Sequence, residues 1–426
     1  MVYWLYNVAL TLGVVLLAPL LPLFFLLRLR AVDGLAERLG FYAEKLKRDL
    51  AGARPVWLHA VSAGEVLSAA CLVEEMRRAF PDRKIVVSSS TATGVQMAAK
   101  LPGISAAIYF PLDHPVVVRR ALAAFDPRLV IFLETEIWPN YLAGAYRRGI
   151  PVLLLSGRIS ERSARRYRRF SRVFAPALRS LSALGMQTGA DAQRMISLGV
   201  DPSRVVVTGN LKYDAPSANG NGAACAASLG AALKGRKVWV AGSTHDGEEE
   251  FALEAHAALQ RRFPGLVLIL APRHPHRFSQ VEGLLEKRRT RFAKKSQLAG
   301  RAPDIPDVVL LDSMGELAAF YALADAAFVG GSLVSAGGHN LVEPARLGKP
   351  VFFGPYVDNF KQAATEIARA GGGAMVRTKD DLVENLTRVL ADPGVALAMG
   401  ALARGAVERH RGALRKSMKL VSRYLE

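Results

Sequence analysis

The sequence predicts an α/β protein: two doubly wound, Rossmann-like domains behind an N-terminal membrane-anchor helix. Three observations carry that prediction. Short, unalternating apolar runs recur with helix-like segments between them, and these runs fall into two series separated by a stretch of small residues. At 426 residues the chain is about twice the size of an ordinary domain. Its first stretch, Met1 to Leu27, contains no Asp, Glu, Lys or Arg.

That opening stretch is long enough to cross ~30 Å of hydrocarbon as a helix, even with Pro19 and Pro22 kinking its end. Arg28 and Arg30 follow at once, and no basic residue precedes the apolar run. A signal peptide has the opposite charge layout and a shorter core. The positive-inside rule therefore predicts an anchor over 1–30 with everything after it in the cytoplasm. A hydrophobic helix lying in one leaflet is the alternative.

The first series of runs is Val56–Ser62, Ile85–Ser90, Ala107–Pro111, Leu129–Leu133, Val152–Ser156, Leu184–Gln187 and Val205–Thr208. The second is Val238–Gly242, Leu266–Ala271, Val308–Asp312, Ala326–Gly330 and Val351–Gly354. Without polar alternation they read as strands buried on both faces, hence as parallel sheets covered by helices. The intervening stretch, rich in Ala, Gly, Asn and Ser, reads as a linker over 215–235 with room for a helix. The expected domains are thus 31–214 and 236–426, facing a cleft. Ligands of such sheets bind beyond the carboxyl ends of strands, so chemistry is expected there.

Cys71 and Cys225 stand in unrelated contexts with no metal-ligand spacing, which excludes a disulfide framework and points to a reducing compartment. The formal charge of +19 demands an anionic partner: nucleic acid, acidic lipid or a phosphorylated glycolipid.

At the first strand end, His59-Ala60-Val61-Ser62-Ala63-Gly64-Glu65-Val66 makes a tight turn into a helix. Glu65 in that first turn is placed to accept a proton from an attacking hydroxyl; complementing the helix dipole is the plainer reading. Leu133-Glu134-Thr135-Glu136-Ile137-Trp138-Pro139-Asn140 ends another strand with two carboxylates. If the strand continued, Glu134 and Glu136 would point opposite ways, one structural and one toward the cleft. No Asp-x-Asp pair occurs, and no metal site is expected.

Ser156-Gly157-Arg158 opens a segment with arginines at 158, 162, 165, 166, 168, 169 and 172, offset only by Glu161 and interleaved with Tyr167, Phe170, Val173 and Phe174. That basic amphipathic pattern suits an anionic lipid surface or a phosphorylated acceptor. Nucleic-acid binding would use similar chemistry, but the apolar anchor and the lack of a nucleic-acid module favour the membrane; a solvated helix face is the plain alternative. Gly209-Asn210-Leu211-Lys212-Tyr213-Asp214 places Lys212 over the expected cleft, either neutralising a substrate anion or simply solvated.

In the second series, Ala241-Gly242-Ser243-Thr244 precedes a helix opening with Gly247-Glu248-Glu249-Glu250, where backbone N–H groups can hold a phosphate. Ala271-Pro272-Arg273-His274-Pro275-His276-Arg277 adds cations, and Met314-Gly315-Glu316 opens a helix. Gly330-Gly331-Ser332 leads to Gly337-Gly338-His339-Asn340-Leu341-Val342-Glu343-Pro344, whose glycines allow close approach of a nucleotide and whose Glu343 can bind ribose hydroxyls. Each piece is weak alone; four at successive strand ends read as a nucleotide site.

Together these segments resemble the 3-deoxy-D-manno-octulosonic acid (Kdo) transferases of lipopolysaccharide biosynthesis. The similarity covers nearly the whole chain, and His-Ala-Val-Ser-Ala-Gly-Glu and Glu-Thr-Glu-Ile-Trp-Pro-Asn are its most diagnostic parts. It implies the GT-B glycosyltransferase fold and an inverting, metal-independent transfer of Kdo from CMP-Kdo to a lipid A precursor, releasing CMP and needing no cofactor. Glu65 matches the family's general base, and Glu136 and Lys212 match positions associated with transition-state stabilisation, with Glu134 an adjacent competitor. Ser243 and Thr244, Pro272 and Arg273, Met314, Gly315 and Glu316, and Asn340, Leu341, Val342 and Glu343 are the expected donor-binding residues. The implied partners are CMP-Kdo, the lipid A precursor and anionic inner-membrane lipids, with no nucleic acid. The chain departs from the pattern in its Ala/Gly/Asn-rich linker and in a basic, flexible insertion over Ala293–Arg301, neither of which is expected to touch a motif. A UDP-sugar transferase of the same architecture, or a non-catalytic membrane adaptor, would share much of this pattern.

Overall fold

The structure, a computed structural model, describes residues 2–17, 33–214, 223–233, 235–298 and 306–426. The chain divides into two compact units, Met1–Ala215 with Arg411–Glu426, and Pro216–His410.

The first unit holds a seven-stranded sheet: β1 (Val56–His59), β2 (Ile85–Ser89), β3 (Ala106–Tyr109), β4 (Leu129–Leu133), β5 (Val152–Gly157), β6 (Ala183–Met186) and β7 (Val205–Val207). Their order is β3-β2-β1-β4-β5-β6-β7, every pairing parallel. Parallel strands need crossovers, and the helices that supply them cover both faces. Hence Trp57, Val130, Phe132 and Leu154 face one core with Phe125 and Tyr141. Val56, Leu58, Ile131, Leu153 and Leu155 face the other, with Leu72, Met76 and Val421. The strand order reverses between β1 and β4, which opens a crevice at their carboxyl ends.

The second unit repeats the plan with β8 (Val238–Thr244), β9 (Val267–Pro272), β10 (Phe292–Lys294), β11 (Val308–Leu310), β12 (Ala326–Val329), β13 (Val351–Phe353) and β14 (Gly373–Met375). The order is β10-β11-β9-β8-β12-β13-β14, again all parallel, reversing between β8 and β12.

Four expectations are corrected or bounded. The expected second domain, 236–426, ends too late: helix Ala413–Leu425 buries Met418, Leu420, Val421 and Leu425 in the core of the first unit. Its first turn is capped by Asp214, which accepts from Gly412 N at 2.8 Å and Leu414 N at 2.7 Å. The linker is in part a packed helix, Ala223–Ala232, with Ala226 and Leu229 buried in the second unit. The basic insertion begins as the edge strand β10 and a 3-10 turn, Lys295–Gln297, and it does touch a motif: Lys295 Nζ lies 2.8 Å from Glu316 Oε2.

The fourth concerns the expected anchor. Its first part is helix Val2–Leu17, and residues 18–30 of it lie outside the described residues. No single helix among the described residues is long and apolar enough to cross a membrane. Polar side chains tie this helix to the first unit: Tyr6 Oη donates to Asp113 Oδ2 (3.0 Å), and Asn140 Nδ2 donates to Asn7 Oδ1 (2.8 Å). Asn140, the last residue of the Glu-Thr-Glu-Ile-Trp-Pro-Asn motif, is therefore a structural link.

Candidate active site

In the first unit the site is built on the carboxyl ends of β1 and β4. Ser62 caps helix Ala63–Ala79, accepting from Glu65 N at 3.4 Å, while Glu65 Oε2 reaches back to accept from Val61 N at 2.9 Å. The dipole-complementing reading of Glu65 is thus realised in the structure, and the same bond aims its carboxylate. Burial, then the neighbouring Glu134 charge, pushes Glu65 up to about 7.

β4 stops at Leu133, so the predicted strand alternation of Glu134 and Glu136 does not arise. Glu134 takes a left-handed backbone, φ 58°, which a β-unbranched residue tolerates only when its surroundings hold it there. They do: Lys212 Nζ lies 2.6 Å from Glu134 Oε1 and Arg158 Nε 3.0 Å from Glu134 Oε2. Burial raises the Glu134 carboxyl, yet these two cations outweigh it and hold the group below its ordinary range. Lys212 is accordingly not a free cation over a cleft but half of a buried pair. Its own segment is set by Asn210 Oδ1, which accepts from Lys212 N (3.0 Å), and by Ser156 Oγ, which accepts from Leu211 N (3.1 Å). Arg158, expected among the lipid-facing arginines, belongs to this cluster instead.

Glu136 is pushed up to about 8, by burial first and by the Glu65 charge second. It faces His59, whose Nε2 is 4.0 Å away, too far for a hydrogen bond. Burial holds His59 down to about 3, so it is neutral. His59, the first residue of its motif, is wholly buried, with Nδ1 3.1 Å from Ser88 O. The structure brings Glu65, Glu134, Glu136, Lys212, Arg158 and His59 into one electrostatic cluster of graded acidity, the arrangement in which one carboxylate is kept ionised and two are poised near neutrality.

In the second unit the expected donor residues lie at or beyond the ends of β8, β9, β11 and β12. Ser243 also takes a left-handed backbone, φ 57°. Thr244 is buried and its Oγ1 donates to Glu249 Oε1 at 3.1 Å, so its hydroxyl is engaged internally. Pro272 ends β9 opposite Thr244. The Arg273 guanidinium is half-buried and makes no hydrogen bond or ion pair among the described residues. Burial lowers its pKa, opposed by the charge of Glu343. Asn340 Nδ2 donates to Glu343 Oε1 at 3.0 Å, and burial raises the Glu343 carboxyl. Leu341 and Val342 are buried, leaving them only backbone atoms to offer a ligand. Met314 is exposed, Gly315 takes φ 84°, and Glu316 is held by Lys295.

The glycine-rich loop after β12 holds an anion, but an internal one. Glu248 accepts from Gly331 N (2.6 Å), Ser332 N (3.0 Å), Leu333 N (2.8 Å) and His245 N (2.9 Å). The N–H groups of 331–333 are therefore filled by a buried carboxylate instead of facing a nucleotide phosphate. Among the described residues no three His, Cys, Asp or Glu side chains gather as a metal-binding group.

Residues 33–215 match the family model described as 3-Deoxy-D-manno-octulosonic-acid transferase (kdotransferase). The chain is 34% identical over 399 residues to a 3-deoxy-D-manno-octulosonic acid transferase of Haemophilus influenzae, covering 92% of this chain and 91% of the relative. It is also 34% identical over 424 residues to that of Bordetella pertussis, covering 96% and 97%. Among solved structures, a spinosyn rhamnosyltransferase superposes with a TM-score of 0.53 at 16% identity, covering 86% of this chain and 99% of that one, a likeness of fold alone. On identity sustained over almost the full length of both relatives, the chain belongs to the 3-deoxy-D-manno-octulosonic acid transferases and is a glycosyltransferase.

Proposed function

We propose that this chain transfers Kdo, with inversion and without a metal ion, from CMP-Kdo to a lipid A precursor, releasing CMP. The observation that carries the reading is the similarity to Kdo transferases over more than nine-tenths of the chain. The site geometry supports the division of roles. Glu65, near neutrality, takes the proton of the acceptor hydroxyl, since a base works best with its acidity constant near the operating pH. Lys212 fixes Glu134 as a spectator anion and lowers Glu65 by its charge. Arg273, whose guanidinium makes no hydrogen bond or ion pair among the described residues, receives the donor phosphate. Three anions define this chemistry: the Kdo carboxylate, the CMP phosphate and the acceptor phosphates. A donor panel tests the reading: transfer from CMP-Kdo and none from UDP-sugars is expected, and transfer from a UDP-sugar contradicts it.

The enzyme is proposed to work at the cytoplasmic face of the bacterial inner membrane. Supporting this, Arg162, Arg165, Arg166, Arg168, Arg169 and Arg172 are all exposed on helices Glu161–Arg169 and Ser171–Arg179, with Phe170 exposed among them. The docking of Tyr6 and Asn7 favours an N-terminal helix lying at the surface over one that leaves the unit to span. Binding to vesicles containing acidic lipid is expected to weaken with salt and to lose on the order of 1 kcal/mol for each of Arg165, Arg168 and Arg169 changed to Ser. Sedimentation that ignores both salt and these substitutions contradicts the surface role.

A further inference from the structure

His245 follows β8 and His339 follows β12, the two strands at which the second sheet reverses. Their Nε2 atoms are 2.8 Å apart, the ring centroids 5.0 Å apart and the planes inclined by 14°. Nitrogens that close on rings that far apart must point at one another, so the rings meet head-on and not face to face. Such a contact requires one imidazole to donate and the other to accept. The chain makes room for it at Gly331, φ 65°, where a Cβ would stand 2.7 Å from the His339 ring.

The surroundings are cationic. Arg273 acts on both imidazoles, Arg277 acts on His245, and the His274 ring lies 5.2 Å from His245. Glu248 opposes them beneath His245, but its carboxylate is taken up by four backbone N–H groups; Glu343 lies beyond Arg273. Arg277 is itself neutralised by Asp246 (2.6 Å) and Glu249 (3.0 Å). That leaves Arg273 as the cation without a hydrogen-bonded partner beside a pair of neutral, mutually bonded imidazoles. Burial and this positive field keep both rings below their ordinary range, His339 at about 3. Burial is the larger cause; a phosphate bound to Arg273 offsets the second and brings its own negative charge beside the pair, which favours a proton there.

We propose that the His245–His339 pair takes up one proton when the donor's phosphate binds and delivers it to the departing phosphate oxygen. This rests on the donor reading above. As the C2–O bond of the sugar breaks, its electron pair goes to the phosphate oxygen, and the proton the pair has taken up, carried on an outer Nδ1 because each Nε2 is engaged with the other, passes from there to that oxygen. The acceptor hydroxyl forms the new bond and gives its own proton to the base, so one proton enters and one leaves per turnover. The second ionisation of a phosphate monoester, near ~6, and imidazole, near ~6.5, are matched for that exchange. The Nε2–Nε2 bond fixes both rings, so the Nδ1 that carries the added proton keeps its direction where a single imidazole would rotate.

The test uses CMP alone and then turnover. Calorimetry at pH 7.5 in buffers of different ionisation enthalpy should show CMP binding with uptake of close to one proton, and cytidine with none. His245→Gln and His339→Gln should abolish the uptake while changing CMP affinity by less than about tenfold, and the exposed His276→Gln should keep it. With CMP-Kdo, both pair variants should lose about 10²–10⁴ in kcat and the alkaline limb of its pH profile. Proton uptake that survives in the variants, or unchanged kcat, overturns the proposal. If either variant fails to fold, the comparison of CMP with cytidine on the unaltered protein decides: equal proton counts overturn it. Failure of the unaltered protein to bind CMP overturns the donor reading, and the proposal with it.

Discussion

With the base role proposed for it, Glu65 carries two tasks with opposite demands. As a helix cap it should stay ionised, bound to Val61 N; as a base it should hold a proton readily. Burial settles the balance by raising it to about 7, with Glu134 adding to the rise and Lys212 pulling it back. The base must be unprotonated to act, so kcat should fall as pH drops below about 7. Glu65→Gln should lower kcat by about 10²–10⁴ while CMP affinity stays within about threefold. Lys212→Met should move the acid limb to higher pH, because it removes a charge that lowers both Glu65 and Glu134. A Glu65→Gln enzyme of ordinary activity, or a limb unmoved by Lys212→Met, would contradict these roles. Glu65 was legible because a carboxylate in the first turn after a strand end is a local pattern. The partner of Lys212 was not: Glu134 lies 78 residues away and meets it only across β4, β5 and the turn after β7.

Elements were legible where their residues are branched and apolar, the half-exposed edge strand β7 included. The inner strands, apolar on both faces, stand out as runs of Val, Ile and Leu, and Leu129–Leu133 is recovered to the residue. The edge strands β10 and β14 were missed, because neither Phe292–Lys294 nor Gly373–Met375 contains a branched aliphatic residue of the kind that marks the other strands. The Glu248 anchor was missed for a different reason. A Gly-Glu-Glu-Glu helix start reads as dipole complementation, while its acceptors' donors lie 83 to 85 residues on. Those bonds lock the turn after β8 to the turn after β12. Glu248→Ala leaves four buried N–H groups without an acceptor, and should cost about 3–5 kcal/mol in urea unfolding. Glu248→Gln should recover less than half, since one oxygen becomes a donor facing N–H groups. A loss below about 1 kcal/mol for Glu248→Ala would mean the lock is unimportant.

For the molecule as a whole, charge and periodicity gave the right architecture of two parallel sheets, but not which unit owns the chain's last helix. Nothing local in Ala413–Leu425 distinguishes a helix that covers the second sheet from one that returns to the first. Its assignment depends on Asp214, which caps it from 198 residues away. The net charge of +19 likewise resolves into distinct uses: Lys212 and Arg158 hold Glu134, Arg273 is proposed to receive the donor phosphate, and the exposed arginines of 162–172 face outward. The measurement that tests the central claim most directly is mass spectrometry of a lipid A precursor incubated with the membrane-reconstituted enzyme and freshly generated CMP-Kdo. An acceptor heavier by one or more Kdo units, formed with stoichiometric CMP, is the result this account predicts. An unchanged acceptor, with a UDP-sugar supporting transfer in its place, is the result that would contradict it.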